Sequence, residues 1–186
     1  MELEHAIRTR RATREFTAEP VDQAQLRSLI DLAVLAPSAM NRQTWSFSVV
    51  RDRDLLQKIS DASKRHLLQT APAGTLPDEL GQLMGNAEFQ IFYHAPAMIL
   101  ISGTADDPWS QIDCALAAEN LMLAAVDAGL GTCWIGFAQG WLGTDEGKAT
   151  LGIPASSVPV APIIVGHPTA PAQPVPRKEP AINWIG

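Results

Sequence analysis

One segment restricts the possible folds more than any other. It has the pattern of a helix that would be apolar on nearly every side. Residues 111–128 are rich in alanine and leucine and carry few charges. A helix without a continuous polar face must be covered by other elements on most sides. Gly129 follows the segment, at the position where glycine commonly ends a helix. We therefore expect one central, largely buried helix.

The composition is typical of a globular protein with a real core. The chain has 186 residues, of which 46% are hydrophobic and 18% are charged, so residues 1–186 are expected to form one domain. The formal net charge is -6 and the isoelectric point is near 5.1. This acidic balance argues against general binding of nucleic acid.

Cysteine and histidine usage disfavours metal sites. Cys114 and Cys133 have neither metal-binding nor CxxC spacing, which favours reduced thiols in the cytoplasm and leaves a single disulfide open. The four histidines are scattered singly, so no metal site is expected. The N-terminus lacks the features of a secretory signal, and apolar runs such as residues 95–101 are too short to span a bilayer. We expect a soluble cytoplasmic protein.

The apolar pattern predicts helices and strands in alternation. The best-defined helix follows a capping pattern of Asp22 and Gln25. It must end at Ala36, because Pro37 disfavours helical backbone in the residue before it. Other helices are predicted near residues 3–7, 55–62, 78–94 and 145–151, and strands at residues 45–50, 98–101, 132–136 and 159–165.

The C-terminal segment has the composition of an extended arm. Residues 167–180 contain five prolines in fourteen positions, which favours a stiff, extended backbone. The arm ends in an apolar tip at residues 181–185, and such a tip requires burial. We expect residues 167–186 to reach a partner subunit.

A cluster of arginines near the N-terminus runs against the acidic composition. Its members lie within seven residues: Arg8, Arg10, Arg11 and Arg14. Guanidinium groups placed together indicate an anion, and phosphate accepts their bidentate hydrogen bonds well. A solvated helix end is the alternative. Because Arg177 and Lys178 form a second basic cluster in the proline-rich arm, the two clusters could close on a single phosphate.

The chain lacks the usual self-contained catalytic groups. It has no dinucleotide fingerprint, no P-loop and no Gly-x-Ser-x-Gly elbow, and neither cysteine has a base beside it in sequence. Glu119 lies within the apolar helix, either as a buried acid or on a face open to a polar cleft. If the chain is an enzyme, a bound cofactor is expected to carry the chemistry.

Four sequence elements, in order and over nearly the whole length, resemble the FMN-dependent nitroreductase family. They are RRATREF at residues 10–16, APSAMNRQTW at 36–45, AAENLMLAA at 117–125 leading to GLGTCWIG at 129–136, and IIVGHP at 163–168 followed by Arg177 and Lys178. Two positions depart from the family pattern. Ala12 stands where the family usually has Ser, and Thr44 replaces a Pro, which is expected to leave its loop less rigid.

The resemblance implies an α+β fold, with a central, mostly antiparallel sheet flanked by helices. It also implies an intertwined homodimer that exchanges its C-terminal arm and binds FMN tightly at the subunit interface. The implied cofactor-binding residues are Arg10, Arg11, Ala12, Arg14 and Arg177 near the phosphate and flavin edge, Pro37, Ser38, Ala39, Met40 and Asn41 from the other subunit, and Ile135 and Gly136 beside the flavin ring. The backbone N–H of Ile135 is expected to point at flavin N5, and no side chain is expected to be catalytic.

The implied activity is that of an NAD(P)H oxidoreductase. NADH or NADPH would reduce the flavin, which would then reduce a nitroaromatic, a quinone or a similar flat small-molecule acceptor in a ping-pong scheme. Among the aromatic residues, Phe89 and Phe92 are the preferred lining of the substrate slot, with a place in the core as the alternative. Reductive dehalogenation, flavin-consuming oxidation, and a flavin carrier or sensor without turnover are the alternative functions.

Overall fold

The protein is built around one four-stranded antiparallel sheet. The computed structural model describes residues 2–72, 74–171 and 173–186. The strands are β1 (Trp45–Val50), β2 (Ala97–Gly103), β3 (Gly131–Trp134) and β4 (Val158–Gly166). Their order across the sheet is β1-β2-β4-β3, and all three neighbouring pairs are antiparallel. The expected α+β class is confirmed.

Helices cover both faces of this sheet. They are α1 (Leu3–Thr9), α2 (Gln23–Ala33), α3 (Arg53–Thr70), α4 (Asp78–Gly85), α5 (Pro108–Asp127), α6 (Gly136–Leu142) and α7 (Asp145–Leu151). The capping box predicted at the start of α2 is present, with Asp22 and Gln25 bonding each other's backbone N–H groups. None of the helices in the described ranges is both long and apolar enough to cross a bilayer.

The two faces of the sheet bury two separate cores. Side chains alternate between faces along a strand, so Ile99 and Ile101 of β2 pack with α2 and α5, whereas Met98 and Leu100 pack with α3 and α6. Helix α5 lies against the first core as predicted. Many of its residues are fully buried, including Ala117, Ala118, Leu121 and Ala125.

Helix α5 is not enclosed on every side within one chain. Trp109, Ile112 and Leu116 lie three and four residues apart, so they share one face. Their exposures are 60%, 49% and 41%. One apolar stripe of the central helix is therefore available to another surface.

The helix predicted at residues 78–94 is too long, because α4 ends at Gly85. Tyr93 and His94 have φ of 52° and 54°, a left-handed conformation that no right-handed helix contains. The intervening turn is held by buried Lys64, whose Nζ donates to the carbonyls of Asn86 at 3.1 Å and Phe89 at 2.6 Å. A contact from a distant helix therefore overrides the local helical pattern.

The strand predicted at residues 132–136 ends at Trp134, and the sequence pattern missed α6. Gly136 and Gly140 lie in this helix, and glycine costs about 1 kcal/mol relative to alanine in a helix interior. Burial of Ala138, Trp141 and Leu142 supplies the stabilisation that local propensity lacks.

The arginine-bearing segment is fixed to the sheet edge by backbone hydrogen bonds. The N–H of Thr13 donates to the carbonyl of Thr132 in β3 at 2.9 Å. The N–H of Thr17 donates to the carbonyl of His167, just beyond β4, also at 2.9 Å. Main-chain hydrogen bonds therefore hold residues 13–17 between the end of β4 and the start of β3.

Two paired glycines allow this close approach. Gly131 and Gly166 face each other across β3 and β4. A Cβ on Gly131 would lie 2.7 Å from atoms of Thr13, and one on Gly166 would lie 2.7 Å from Phe16 Cδ1 and from Pro96 Cδ. Any side chain at these positions would push the N-terminal segment away.

Gly166→Ala is therefore expected to lower the free energy of unfolding by about 1–3 kcal/mol, because the added methyl overpacks the Phe16 contact. Urea denaturation measures this change. Gly81→Ala is the matched control, because no atom lies within 4 Å of the added Cβ, and it should leave stability unchanged or raise it by up to about 1 kcal/mol. An unchanged unfolding midpoint for Gly166→Ala would contradict the packing argument.

Candidate functional site

Arg11 and Arg14 line a groove that the start of the C-terminal arm completes. One wall is formed by residues 11–15, and the other by residues 169–171 with Gln173 and Val175; the groove volume is about 450 Å³. Arg177 lies two residues beyond Val175 and donates from Nη1 to the Val175 carbonyl at 3.5 Å. Two arginines of the first cluster, Arg11 and Arg14, thus line the groove, and Arg177 of the second cluster bonds to a residue of its wall.

Arg10 and Arg11 are partly buried. The Nε of Arg10 lies 3.8 Å from Oε1 of Glu119, whose side chain is 51% exposed. Glu119 is therefore not a buried acid but a surface carboxylate facing the cluster. Arg11 donates from Nη1 to the carbonyl of Arg10 at 2.6 Å, while its Nε is buried without a hydrogen-bond partner. An unpaired buried donor needs a reason, and a site built for an anion supplies one.

Arg14 lies over an aromatic ring. Its guanidinium carbon is 5.9 Å from the centre of the Tyr93 ring, a cation–π distance. The Tyr93 ring in turn meets Phe89 edge to face, with ring centres 5.7 Å apart. Tyr93 has a left-handed backbone at this point. That conformation leaves no clear signal in the sequence.

The two aromatic residues predicted to line the substrate slot differ in burial. Phe92 is 0% exposed and belongs to the core beneath α3 and α6, so its assignment to an open slot is wrong. Tyr93, the next residue, is only partly buried. Phe89 is half-buried at the edge of the same core, and its role in the slot stays a prediction.

The second sequence element forms a short loop with unusual backbone geometry. Within it, Ala39–Asn41 forms a single 3₁₀ turn. Met40, Asn41 and Gln43 all have φ between 52° and 55°, a region that costs non-glycine residues energy and recurs at functional sites. Met40 is 94% exposed. The expected flavin-facing residues Pro37, Ser38, Ala39, Met40 and Asn41 all belong to this loop.

The backbone N–H of Ile135 is not free to meet a ligand. It donates to the carbonyl of Pro162 at 2.8 Å, and the residue is 3% exposed. The predicted role of this N–H at flavin N5 is therefore wrong, because a sheet contact uses the donor. Gly136 is exposed and begins α6, where the first N–H groups lack intrahelical partners, so its assignment stays a prediction.

Neither cysteine is suited to act as a nucleophile. Both are buried free thiols. Burial raises the pKa of Cys114 to about 12, with a further contribution from the charge of Asp113. Burial also raises the pKa of Cys133, although the positive charges of Arg14 and Arg10 oppose the shift. The described residues also contain no cluster of three side chains able to hold a metal ion.

Comparison with known proteins now identifies the family. The nitroreductase family profile matches residues 7–167, so the chain belongs to the nitroreductase family. A protein of Archaeoglobus fulgidus, with the provisional name NADH dehydrogenase/NAD(P)H nitroreductase, is 33% identical over 162 residues, covering 87% of this chain and 83% of that protein.

Two further relatives bear on the chemistry. The crystal structure of a nitroreductase with bound FMN from Bacteroides fragilis superposes with a TM-score of 0.85 at 25% identity, covering 100% of both chains. Iodotyrosine deiodinase of Thermotoga neapolitana is 27% identical over 126 residues, covering 66% of this chain and 67% of that enzyme. The proteins similar to this chain thus carry the names of more than one activity.

Proposed function

We propose that the protein is an FMN-dependent NAD(P)H oxidoreductase that reduces nitroaromatics, quinones or similar flat electrophiles. The observation that carries this proposal is the arginine-lined groove, in a member of a family whose solved structures include an FMN-bound nitroreductase. When bound, FMN would take a hydride from NADH or NADPH and pass reducing equivalents to the second substrate.

The residues of the groove suit the phosphate of FMN. Arg11 and Arg14 line it, Arg10 and Arg177 are close in sequence to lining residues, and the buried Nε of Arg11 lacks a partner. Guanidinium groups bind phosphate through paired charge-assisted hydrogen bonds. Ala12 keeps its backbone in the site through its bridge to Thr132, so the missing Ser hydroxyl does not remove that part of the main chain.

The remaining residues would position the flavin and exclude water rather than react. Both cysteine thiols have raised pKa values and are buried, so neither supplies a thiolate at neutral pH. Arg14 lies over the ring of Tyr93, which packs edge to face against Phe89, so this part of the site has a partly apolar wall. An aromatic acceptor packs against such a wall better than a flexible polar substrate.

The complete site requires a second copy of the chain. Three apolar residues on α5, Trp109, Ile112 and Leu116, are exposed, as are Ile182, Trp184 and Ile185 at the tip of the arm. Large exposed apolar residues in groups mark interaction surfaces. We infer a homodimer in which the α5 stripes meet, the arm of each chain crosses to the other, and the loop containing Met40 covers the flavin of the partner.

Reductive dehalogenation is the second candidate function. It is favoured by the similarity to the iodotyrosine deiodinase of Thermotoga neapolitana over two thirds of both chains. It uses the same flavin site and differs in the acceptor. Rates with a quinone, a nitroaromatic and an iodinated phenol therefore discriminate between the two candidates.

Arg10→Ala and Arg177→Ala are each expected to weaken FMN binding about tenfold or more, because a charge-assisted hydrogen bond contributes about 1.5–3 kcal/mol. Quenching of FMN fluorescence on titration measures the affinity. Riboflavin, which lacks the phosphate, should bind both variants and the wild type equally. The matched control is Arg27→Ala, which removes an exposed arginine of α2 that pairs with Asp31. Unchanged FMN affinity in both test variants would refute the phosphate assignment.

Anaerobic mixing with NADH or NADPH is expected to bleach the absorbance of the FMN-loaded protein. Addition of a quinone or nitroaromatic should restore it, and initial rates should give parallel double-reciprocal lines, because both substrates use one site in turn. Recovery only with the iodinated phenol would favour dehalogenation. If neither nucleotide bleaches the flavin within minutes, the protein is a flavin carrier or uses another reductant.

Ile112→Asp is expected to disrupt the homodimer and to release FMN, because a charge would be buried in the α5 interface. Light scattering at micromolar concentration measures the mass, and the absorbance of retained flavin measures occupancy. Leu68→Asp is the matched control, since Leu68 of α3 is 42% exposed, close to the 49% of Ile112. A wild-type monomer that still holds flavin would contradict the dimer proposal.

A further inference from the structure

Helix α5 presents a row of polar side chains to the loop of residues 39–44. Asp107, Ser110 and Asp113 lie three residues apart and therefore follow one side of the helix. Asp107 Oδ2 lies 3.4 Å from Nη2 of Arg42, and the hydroxyl of Ser110 donates to the carbonyl of Thr44 at 2.9 Å. The third contact comes from the buried Asp113. The N–H of Ala39 donates to Oδ1 of Asp113 at 3.0 Å.

Asp113 is a carboxylate in a position where burial is energetically unfavourable. It is 3% exposed, and its neighbour Cys114 belongs to the apolar core. Its second oxygen, Oδ2, is buried without a hydrogen-bond partner. A buried charge with one unsatisfied oxygen destabilises the fold relative to an apolar residue. Stability therefore does not explain the carboxylate, and its remaining contact is with the loop.

The loop requires external anchors because its own backbone is strained. Met40, Asn41 and Gln43 are all in the left-handed region. Such residues persist only where the surroundings over-determine their conformation. Internal contacts contribute, since the N–H of Gln43 donates to Oγ of Ser38 at 3.0 Å. The bond from Ala39 to Asp113 fixes the first residue of the 3₁₀ turn to the buried core.

We infer that Asp113 is a positioning residue that holds the 39–44 loop in its flavin-covering conformation before any ligand binds. This inference rests on the proposed function for the flavin contact, but the anchoring itself is a property of the protein chain. Thr44, which replaces the usual proline, is compatible with a fixed loop here because its carbonyl is bonded to Ser110 and to the N–H of Thr104. The side chains of α5 thus supply rigidity that a proline would have supplied.

The first test measures the loop without reference to flavin chemistry. Trypsin cleaves after Arg42 only when the loop opens, and mass spectrometry follows this single cut in the full-length protein as purified. Asp113→Ala should accelerate the cut about tenfold, because the N–H of Ala39 loses its acceptor. Asp113→Asn should retain the slow rate, since its carbonyl oxygen can still accept that bond.

Two further variants keep this test decisive. Asp113→Leu also removes the acceptor but leaves no cavity, so it should still accelerate the cut after Arg42, and an effect shared with Asp113→Ala then reports the lost hydrogen bond. Asp106→Ala removes an exposed carboxylate one residue before the helix cap and should leave the rate unchanged. Equal cleavage rates in Asp113→Leu, Asp113→Asn and the wild type would overturn the positioning role.

The second test measures whether the loop conformation affects the bound flavin. In FMN-loaded protein, Asp113→Leu should change the visible circular dichroism of the flavin and raise KM for the acceptor more than it lowers kcat, with Asp113→Asn close to the wild type. A faster cut after Arg42 with unchanged flavin dichroism would overturn the flavin contact. Failure of the wild type to bind FMN would instead overturn the proposed function, while the trypsin result would still report on the anchor.

Discussion

The site depends on a backbone clamp that holds the N-terminal segment in the groove between β3 and the chain beyond β4. Thr13 and Thr17 bond to Thr132 and His167, and the paired glycines Gly131 and Gly166 leave room for the segment. These contacts use main-chain atoms, so the segment is attached to the sheet without using the guanidinium groups of the cluster. The chain can therefore concentrate positive charge at one place.

Helix α5 connects the parts of the site because each of its faces contacts a different part. Its alanine-rich face packs against the sheet, and Glu119 meets Arg10 at the edge of the arginine groove. The polar row that begins at Asp107 holds the 39–44 loop, while the apolar stripe around Ile112 is exposed. A change in the packing of this one helix would therefore reach the anion groove, the loop and the proposed dimer interface together.

Local patterns were reliable where the physical cause was also local. Strand β1 follows from alternation, and the capping box of α2 follows from Asp22 with Gln25. The buried helix α5 follows from an apolar surface on most sides. Predictions failed where a distant group decided the outcome. Lys64 holds the turn that ends the helical pattern after α4, and packing of Trp141 and its neighbours stabilises the glycine-containing α6.

The sequence by itself determined the family, the α+β class and the residue types of the site, because clustered arginines and the four motifs are properties of the chain order. Only the tertiary structure decided which groups remain available. It buried Phe92 in the core, used the N–H of Ile135 for a bond to Pro162, and turned Tyr93 toward Arg14. Contacts between residues far apart in sequence decide which hydrogen-bond donors are occupied and which faces are exposed. A local sequence pattern contains no information about these contacts.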